Sequence, residues 1–464
     1  DNSSNAVRES LMQAALMRQD ATAFNPFGYT FKVSGTSVVP DQKFTNPKTV
    51  MDTFVMPWRR EGFSAITSGD IRVGGPLFRY WGNTVSISFG GEGRREQFID
   101  KRPAYSGWNP EGSGLSPTDN DYVQASPKPD SSGNRTVYSA YVETVLPVFQ
   151  PSKNVPLFHS LEFTASARYE NYSDFGTTTK PKYGANWKPF KGLMVRGSYN
   201  QGFAAANLPT LYAPTQYTVD SPPGTVDPYR SAAIGEAAYV QRAYSSGNKN
   251  LLPVESTGKS AGLVLDVPFV KGLSVTADYY QIEQKNEIGS RVASQILNND
   301  AALLRAYTAA QLAAGKTIAQ VDLGSGTANY KGDPSVVRYP VSATDIAAFN
   351  ASNASKPVAQ QSAVVGQVLS RSVAYENLAV GYVSGVDLSL NYALPTLSLG
   401  KVNLSTDWSY LIKTYQIRSP AGGTPTTTER LGVSGTTRWR GNGTISWRTN
   451  SWNASDRKST PLNS

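Results

Sequence analysis

Residues 193–203 read LMVRGSYNQGF and alternate strictly between two faces. One face carries Leu193, Val195, Gly197, Tyr199, Gln201 and Phe203, and the other carries Met194, Arg196, Ser198, Asn200 and Gly202. A period of two residues predicts a β-strand with one apolar and one polar face. The alternation stops at AAANLPTLYAP, residues 204–214. The strand is therefore predicted to open into a long irregular loop.

The same alternation recurs along most of the chain. Further examples are SLEFTASARYE (160–170), KYGANWK (182–188), SAGLVLDVPF (260–269), LSVTADYYQ (273–281), GVDLSLNYAL (385–394), KVNLSTDWSYLI (401–412) and RWRGNGTISWR (438–448). Nine such strands are predicted from Tyr138 onward, and the region 63–98 predicts two more. The chain is thus expected to be an all-β protein with many two-faced strands.

The composition narrows the class of protein. The 464 residues contain 40 Gly, 29 Pro and 25 Tyr, which suits turns and strands. No segment approaches 18 consecutive apolar residues, which excludes a transmembrane helix, but a spanning strand needs only about 9–11 residues. The net charge of +9 includes no run of five basic residues, so a nucleic-acid partner is not expected. The absence of cysteine excludes disulfides and thiolate sites.

The connections between strands predict which end of the sheet faces outward. Tight turns in WKPFKGL, VPFVKGLS and ALPTLSLGKV alternate with longer loops at about 172–179, 204–256, 286–380 and 417–430. In a meander every second connection lies at the same end, so one end would carry all the long loops. This asymmetry is typical of outer-membrane barrels. The prediction is an antiparallel, up-and-down transmembrane β-barrel, and a soluble β-sandwich is the alternative.

A barrel gives each face a role. Polar side chains expected to face a wet interior are Arg168, Arg196, Asp278, Asp387 and Asn442. Aromatic side chains expected at the two membrane interfaces are Tyr169, Trp187, Phe269, Tyr279, Tyr280 and Trp447. The longest loop is expected to carry short helices in NNDAALLRAYTAAQLAAGK (298–316) and SATDIAAFNAS (342–352). The second helix has Ser342 or Thr344 as its N-cap.

None of the candidate motifs in the sequence has the combination of residues that an active site requires. The sequence Gly258-Lys259-Ser260 resembles the end of a phosphate-binding loop, but Pro253 stands where that motif needs glycine, and a strand follows. His159 is the only histidine and is expected at an exposed rim. The carboxylates of Asp119 and Asp121 leave a calcium site as an option. We therefore expect no enzyme activity, no cofactor and no resident metal.

Several longer stretches resemble the barrel of TonB-dependent outer-membrane receptors. They are YSAYVETVLPVF (138–149), LEFTASARYENYSDFGTTTKPKYGANWKPFKGLMVRGSYNQGF (161–203), NKNLLPVESTGKSAGLVLDVP (248–268), GLSVTADYYQIEQKNEI (272–288), ENLAVGYVSGVDLSLNYALP (376–395) and FRYWGNTVSISFGGEGRREQF (78–98). The resemblance covers most of 60–415. One departure is Ala204, which follows Gly-Phe where the family usually has arginine.

The resemblance implies energy-coupled uptake of a scarce, bulky ligand across the bacterial outer membrane. The ligand would be a siderophore, another chelate or an oligosaccharide, and the partners would be membrane lipid and a TonB-type energy-coupling protein. That protein would act through a plug domain, which the sequence does not contain. A passive porin-like channel, and a soluble all-β carbohydrate-binding module or enzyme, are the alternatives.

The resemblance also implies an organisation for the chain. Family barrels have 22 strands, so the 11–13 expected here would form part of a barrel, and the chain is expected to be an internal fragment. Residues 1–59 would be an N-terminal barrel or loop piece, 60–450 the partial barrel, and 451–464 a truncated tail without a closing strand. The long loops 204–256 and 286–380 would capture the ligand. Candidate ligand contacts, which could equally pack the loop, are Tyr212, Tyr217, Tyr229 and Tyr244.

Overall fold

The computed structural model describes residues 2–394, 400–418, 425–433 and 435–462. In chain order the strands are β1 (Asn2–Val7), β2 (Tyr29–Ser34), β3 (Ser37–Lys43), β4 (Val55–Tyr80), β5 (Asn83–Lys101), β6 (Ser131–Phe149), β7 (Ser160–Tyr172), β8 (Gly176–Lys188), β9 (Leu193–Ala204), β10 (Gln216–Val219), β11 (Arg242–Ser245), β12 (Val254–Asp266), β13 (Leu273–Gly289), β14 (Val336–Arg338), β15 (Val368–Ser372), β16 (Glu376–Ala393), β17 (Lys401–Arg418), β18 (Thr426–Glu429), β19 (Trp439–Arg448) and β20 (Asn453–Leu462).

Helices are few and lie outside the main sheet. The α-helices are α1 (Glu9–Leu16), α2 (Lys48–Met51), α3 (Leu208–Tyr212), α4 (Pro228–Ile234), α5 (Ala293–Ala313) and α6 (Ala343–Asn353), and 3₁₀ turns lie at Pro151–Lys153, Ile318–Gln320 and Val358–Gln360. No helix in the described ranges is long and apolar enough to cross a membrane.

One large antiparallel meander dominates the fold. Its strand order is β1-β4-β5-β6-β7-β8-β9-β12-β13-β16-β17-β19-β20, with β18 attached to β17. We call the twelve strands from β4 to β20 on this path the wall. Each wall strand pairs with the wall strands that precede and follow it, as the two-residue alternation requires. The predicted up-and-down antiparallel architecture and the expected 11–13 strands are confirmed.

The connections differ greatly between the two ends of the wall. At one end they span only 81–82, 150–159, 189–192, 267–272, 394–400 and 449–452. At the other end they span 8–54, 102–130, 173–175, 205–253, 290–375 and 419–438. We call this second end the loop end. Parts of two predicted connections, 395–399 and 419–424, lie outside the described residues.

One of the predicted long loops is a tight turn in the structure. The strands β7 and β8 extend to Tyr172 and from Gly176, so only 173–175 connect them, in place of the expected loop at 172–179. The ring of Tyr172 stacks on Phe175 with centroids 4.4 Å apart. The hydroxyl of Ser173 accepts a hydrogen bond from the backbone of Thr136. These contacts stabilise a tight turn at 173–175. The run of turn-forming residues in the sequence did not show that the connection is this short.

The expected polar tail also contains a strand. Residues Asn453–Leu462 form β20 and pair with β19 from Asn453 opposite Arg448 to Leu462 opposite Trp439. Most of the segment expected to be a truncated tail is therefore a strand. The composition of this segment is polar, and backbone pairing with a preceding strand does not require apolar side chains.

Register places the predicted interior side chains on one face of the wall. Arg196 lies opposite Gly262, which lies opposite Asp278, which lies opposite Asp387. On the other face, large apolar side chains are exposed, including Phe63 (55% exposed), Leu263 (42%) and Ile445 (58%). We call these the polar face and the apolar face. Exposure of an apolar face over a whole sheet is what a lipid-facing surface requires.

The predicted aromatic rows fit this division with one exception. Tyr169, Tyr279 and Trp447 are substantially exposed, and Phe269 is 89% exposed in the short connection 267–272. Tyr280 instead lies on the polar face, because it follows Tyr279 and pairs with Gly385 across the strands. Its assignment to an interface row was wrong, since the YY pair puts only one ring on each face.

Candidate functional site

The polar face carries ion pairs both within strands and between them. Arg168 contacts Glu92 on β5 (Nη2–Oε2 2.9 Å) and Glu170 on its own strand (Nε–Oε1 2.5 Å). Glu96 accepts from Arg94 at 2.8 Å and from Arg135 at 2.7 Å. These side chains lie at the loop-end half of strands β5, β6 and β7. They form a charged surface, which would be costly to bury in an apolar core.

Glycines on this face make room for the longest pairs. Arg196 of β9 binds Asp278 of β13 (Nε–Oδ1 2.8 Å) although β12 lies between them. The residue that separates them is Gly262, where a Cβ would lie only 1.9 Å from the Asp278 carboxylate. Arg72 reaches the hydroxyl of Tyr141 across Gly90 in the same way (2.7 Å). A glycine on the intervening strand therefore lets long side chains lie flat on the polar face and pair across that strand.

The two longest connections fold together into one unit at the loop end. Residues 205–253 and 290–375, which we call the cap, share a four-stranded sheet in the order β10-β11-β15-β14. They also share a hydrophobic core, whose fully buried members include Tyr229 from the first segment and Leu304 and Phe349 from the second. The expectation of helices in the longer loop is confirmed by α5 and α6.

The boundaries of these helices follow from local chemistry and packing. The helix α6 begins after Ser342, whose hydroxyl accepts from the backbone of Asp345 at 3.1 Å, so Ser342 and not Thr344 is the N-cap. The helix α5 starts at Ala293, five residues before the predicted start at Asn298. Its first turns bury Ile296 and Leu297 against Val336 and Val368. Tertiary packing therefore extends the helix.

Buried ion pairs tie the two cap segments to each other. Arg338 is fully buried and contacts Asp227 (Nη1–Oδ2 2.5 Å) and Asp300 (Nη2–Oδ2 2.7 Å). Arg230 likewise contacts Glu236 and Asp345. Burial raises the pKa of Asp300 even though Arg338 opposes this shift. The cap thus has the interior of a small globular domain, with its charges paired.

Two further loop-end segments, 8–54 and 102–130, are fastened to each other. In the segment 8–54, Ala15, Val50 and Phe54 form a small core, and Arg8 binds Asp121 of 102–130 at 2.7 Å. Ser10 also donates to the Asp121 carboxylate at 2.6 Å. Asp121, one of the two carboxylates that suggested a calcium site, is thus already bound by protein side chains. Within the described ranges, no group of three or more potential metal-ligating side chains comes together.

The base of the cap lies over the polar face of the wall. Arg135 on β6 donates to the carbonyl of Ala206 at 2.7 Å. The ring of Tyr212 in α3 sits so close to Gly133 that a Cβ there would lie 2.5 Å from it. The start of the cap is therefore anchored on β6, just after Ala204.

A cleft of about 440 Å³ lies where the cap base meets the wall. We call it the mouth cleft. Its lining comes from three connections at the loop end and from the adjoining ends of β5 and β6. It comprises Asp100, Arg102, Lys128, Pro129, Ser131, Asn207, Pro209, Thr210, Ala213, Pro214, Gln216, Ser245, Ser246, Ser290, Val373 and Tyr375. Most of these side chains are polar. Sequence reasoning missed the cleft because its residues are scattered over 276 positions, from 100 to 375.

The structure brings two of the four predicted tyrosines together. Tyr217 and Tyr244 are directly opposite on β10 and β11, with ring centroids 5.5 Å apart. Their neighbours Gln216 and Ser245 line the mouth cleft. Burial, reinforced by the Asp119 carboxylate, raises the pKa of Tyr217 to about 12. Tyr217 itself is only 3% exposed, and its ring lies 6.1 Å from that of Trp108, so it joins the cap to 102–130.

The other two tyrosines lie apart from this pair. Tyr212 is half-buried in α3, where the Lys249 ammonium lies 5.0 Å from its ring centre. Tyr229 is 2% exposed, and its hydroxyl donates to the Ala363 carbonyl at 2.9 Å. Burial raises the pKa of Tyr229 to about 12. Ligand contact by any of the four stays a prediction.

Two other motifs take simple structural positions. Gly258, Lys259 and Ser260 lie inside β12 and pair with both β9 and β13. The prediction of a strand in place of a phosphate-binding loop is confirmed. His159 lies half-buried in the short connection 150–159, where its backbone N–H donates to the Pro189 carbonyl.

Comparison with known proteins identifies the architecture. A sequence model described as "TonB dependent receptor-like, beta-barrel" matches residues 15–461. No curated protein matches the chain. Similar solved structures include a mutant of the ferric enterobactin receptor PfeA from Pseudomonas aeruginosa (14% identity, 86% of this chain and 41% of that chain, TM-score 0.45).

Two siderophore receptors named PirA give similar values. The one from Pseudomonas aeruginosa is 15% identical over 87% of this chain and 49% of that chain, with a TM-score of 0.43. The one from Acinetobacter baumannii is 13% identical over 86% of this chain and 50% of that chain, with a TM-score of 0.44. The chain thus spans half or less of the length of these receptors. On the match over 15–461, the chain belongs to the TonB-dependent receptor β-barrel family.

Proposed function

We propose that this chain forms part of the ligand-binding mouth, and part of the barrel wall, of a TonB-dependent receptor in the bacterial outer membrane. The receptor takes up a scarce, bulky ligand, either a metal chelate such as a siderophore or an oligosaccharide. A TonB-type energy-coupling protein, acting through a plug domain outside the present sequence, drives the uptake.

The observation that carries this proposal is the two-faced wall with its large connections at one end. The apolar face suits lipid, and the polar face, crossed by the Arg168 and Arg196 ion pairs, suits a water-filled passage. Family membership supports transport as the activity. A soluble binding module would have no reason to expose an apolar face over twelve strands.

The cap supplies the means to hold a ligand before transport. Its base lies over the polar face, so a molecule in the mouth cleft would sit at the entrance of the passage. We assign direct ligand contact to Tyr212 and Tyr244, which are half-buried and adjoin the cleft residues Ala213 and Ser245 in the sequence, although neither tyrosine itself lines the cleft. Tyr217 and Tyr229, both almost fully buried, would position the loops. Aromatic rings flanked by hydroxyl and amide groups suit chelates and sugars alike.

Uptake by cells that lack the gene, compared with cells that carry it, tests the proposal. Radiolabelled iron chelates and oligosaccharides are offered in turn, with and without a protonophore. We expect the gene to confer uptake of one ligand class, and the protonophore to abolish it. Uptake that continues without an energy source would indicate a passive channel, and no gene-dependent uptake of any ligand would contradict transport.

The same assay tests the tyrosines. Tyr212→Ala and Tyr244→Ala are each expected to lower ligand affinity about tenfold, because stacking of a ring on a ligand is worth about 1–3 kcal/mol. Tyr138→Ala serves as the matched control, since Tyr138 is 64% exposed on the apolar face. Equal loss in all three variants would indicate a general defect and not a contact with the ligand.

A further inference from the structure

The mouth cleft carries an excess of positive charge. Its charged lining residues are Asp100, Arg102 and Lys128. Asp100 is already engaged by Arg60 at 2.7 and 2.9 Å and by Arg102 at 2.8 Å. Lys128 is exposed, and among the described residues no carboxylate forms an ion pair with it. Of the two cations that line the cleft, Arg102 shares the Asp100 carboxylate with Arg60, and Lys128 adds a positive charge that this carboxylate does not pair.

Arg102 has unused hydrogen-bonding capacity. Its Nη2 donates to Asp100, whereas its Nε is buried and has no partner within the described part of the chain. The guanidinium lies 6.0 Å from the ring centre of Trp58, and its side chain is only 15% exposed. A guanidinium held in this way loses little further entropy when it binds a planar oxyanion.

The Asp130 carboxylate, which adjoins the cleft residue Arg102, does not cancel this charge. The Asp130 side chain accepts a hydrogen bond from the backbone N–H of Arg102 at 2.7 Å, but it is not among the lining residues. Counting Arg60, Arg102 and Lys128 against Asp100 and Asp130 leaves a net charge of +1. The rest of the polar lining is made of hydroxyl and amide groups, such as Ser131, Asn207 and Gln216, which are neutral.

We propose that the mouth cleft selects ligands bearing a carboxylate or similar oxyanion, which is seated between Arg102 and Lys128 and flanked by groups that bind hydroxyls. This inference rests on the proposed function in that the cleft lies on the path of the transported ligand. It favours acidic chelates and acidic oligosaccharides over neutral or cationic ones. Arg102 fixes the orientation of the oxyanion, and Lys128 adds attraction from the exposed side.

Binding to the purified, complete gene product in detergent tests the inference. Four probes form two matched pairs: ferric citrate against neutral ferrichrome, and trigalacturonate against neutral maltotriose. At least one acidic probe should bind at least tenfold more tightly than its neutral partner, and this preference should shrink at high salt. Arg102→Gln and Lys128→Gln should each weaken its binding about tenfold, the loss of one charged hydrogen bond.

Two controls keep the test decisive. Lys316→Gln removes an exposed cation elsewhere on the cap and should change nothing. Lys128→Gln alters an exposed side chain, so a loss of binding there does not come from misfolding. The inference is overturned if neither acidic probe binds, if a neutral partner binds as tightly, or if both cleft variants bind as the wild type does. Energy-dependent uptake of a neutral ligand would leave the proposed function standing while this inference failed.

Discussion

The wall and the cap of this protein are stabilised in opposite ways. The wall exposes its large apolar side chains, such as Leu263 and Ile445, and turns ion pairs inward to its polar face. The cap buries its apolar side chains, with Leu304 and Phe349 fully enclosed. The wall therefore depends on backbone pairing and on lipid, whereas the cap depends on its own packed core. We therefore expect different substitutions to destabilise the wall and the cap.

The largest expected effect is in the buried ion cluster of the cap. Arg338→Met leaves Asp227 and Asp300 buried without their cation, which should cost about 3–5 kcal/mol. We expect the cap to unfold locally while the wall stays paired. Limited proteolysis should then cleave within 290–375, while the unheated protein keeps its folded electrophoretic mobility.

Lys316→Met is the control for this change, because Lys316 is exposed on the same unit. If Arg338→Met leaves the cap resistant to protease, the ion cluster contributes nothing net. If it destroys the folded mobility as well, the cap and the wall form one cooperative unit and the comparison fails.

A matched pair of leucine substitutions compares the cap and the wall directly, and the expected loss of stability is of intermediate size. Leu304→Ala opens a cavity in the fully buried cap core and should cost about 2–5 kcal/mol. Leu263→Ala makes the same truncation on the apolar face of β12, where the side chain is 42% exposed and faces lipid or detergent. We expect less than about 1 kcal/mol there, because no protein cavity forms.

Native-state hydrogen exchange, followed separately for cap and wall peptides, measures both effects. Only Leu304→Ala should raise exchange in 293–313, and neither variant should raise exchange in β12 by much. An equal loss of protection from the two variants would show that the wall also has a dry protein interface on that face.

The sequence predicted the wall far better than the cap, for a physical reason. Alternation such as LMVRGSYNQGF is local, so strand, face and turn follow from neighbouring residues. The contacts of the cap join distant positions: Arg338 meets Asp227, and Gln216 and Arg102 meet at one cleft. No local pattern marks such pairings. Tyr229 illustrates the limit, because the same loop sequence is compatible with a ligand contact or a core position.

Where a cap feature is local, the sequence did predict it. The sequence SATD at 342–345 indicated a helix start, and Ser342 and Asp345 form a reciprocal capping box there. The start of α5 was missed because Ile296 and Leu297 are held by strands some forty or more residues later. A helix cap can thus be predicted from the residues of one turn, whereas packing against distant strands cannot.

The smallest expected effect tests this local device. Ser342→Ala removes the N-cap of α6 and should cost about 1 kcal/mol of local stability at pH 7. Thr344→Ala is the matched control and should cost less, because its hydroxyl contacts only Ser342 in the cap. Hydrogen-exchange protection factors for 343–353, corrected for the intrinsic rate at each pH, provide the measurement.

The pH dependence of this effect has a definite sign. Burial would raise the pKa of Asp345, but hydrogen bonds from Ser342 and the ion pair with Arg230 outweigh it and lower the pKa below its ordinary value of 3.8. The stabilisation is therefore present above pH 3.8 and lost as the pH falls through the lowered pKa. Ser342→Ala removes the hydroxyl bond to Asp345 but keeps the backbone N–H bond, so the pKa of Asp345 rises only part of the way, and the gap between the variant and the wild type should narrow in acid. A gap that stayed constant from pH 7 to the acid limit would show that the Ser342 cap acts through helix geometry alone, with no contribution from the Asp345 charge.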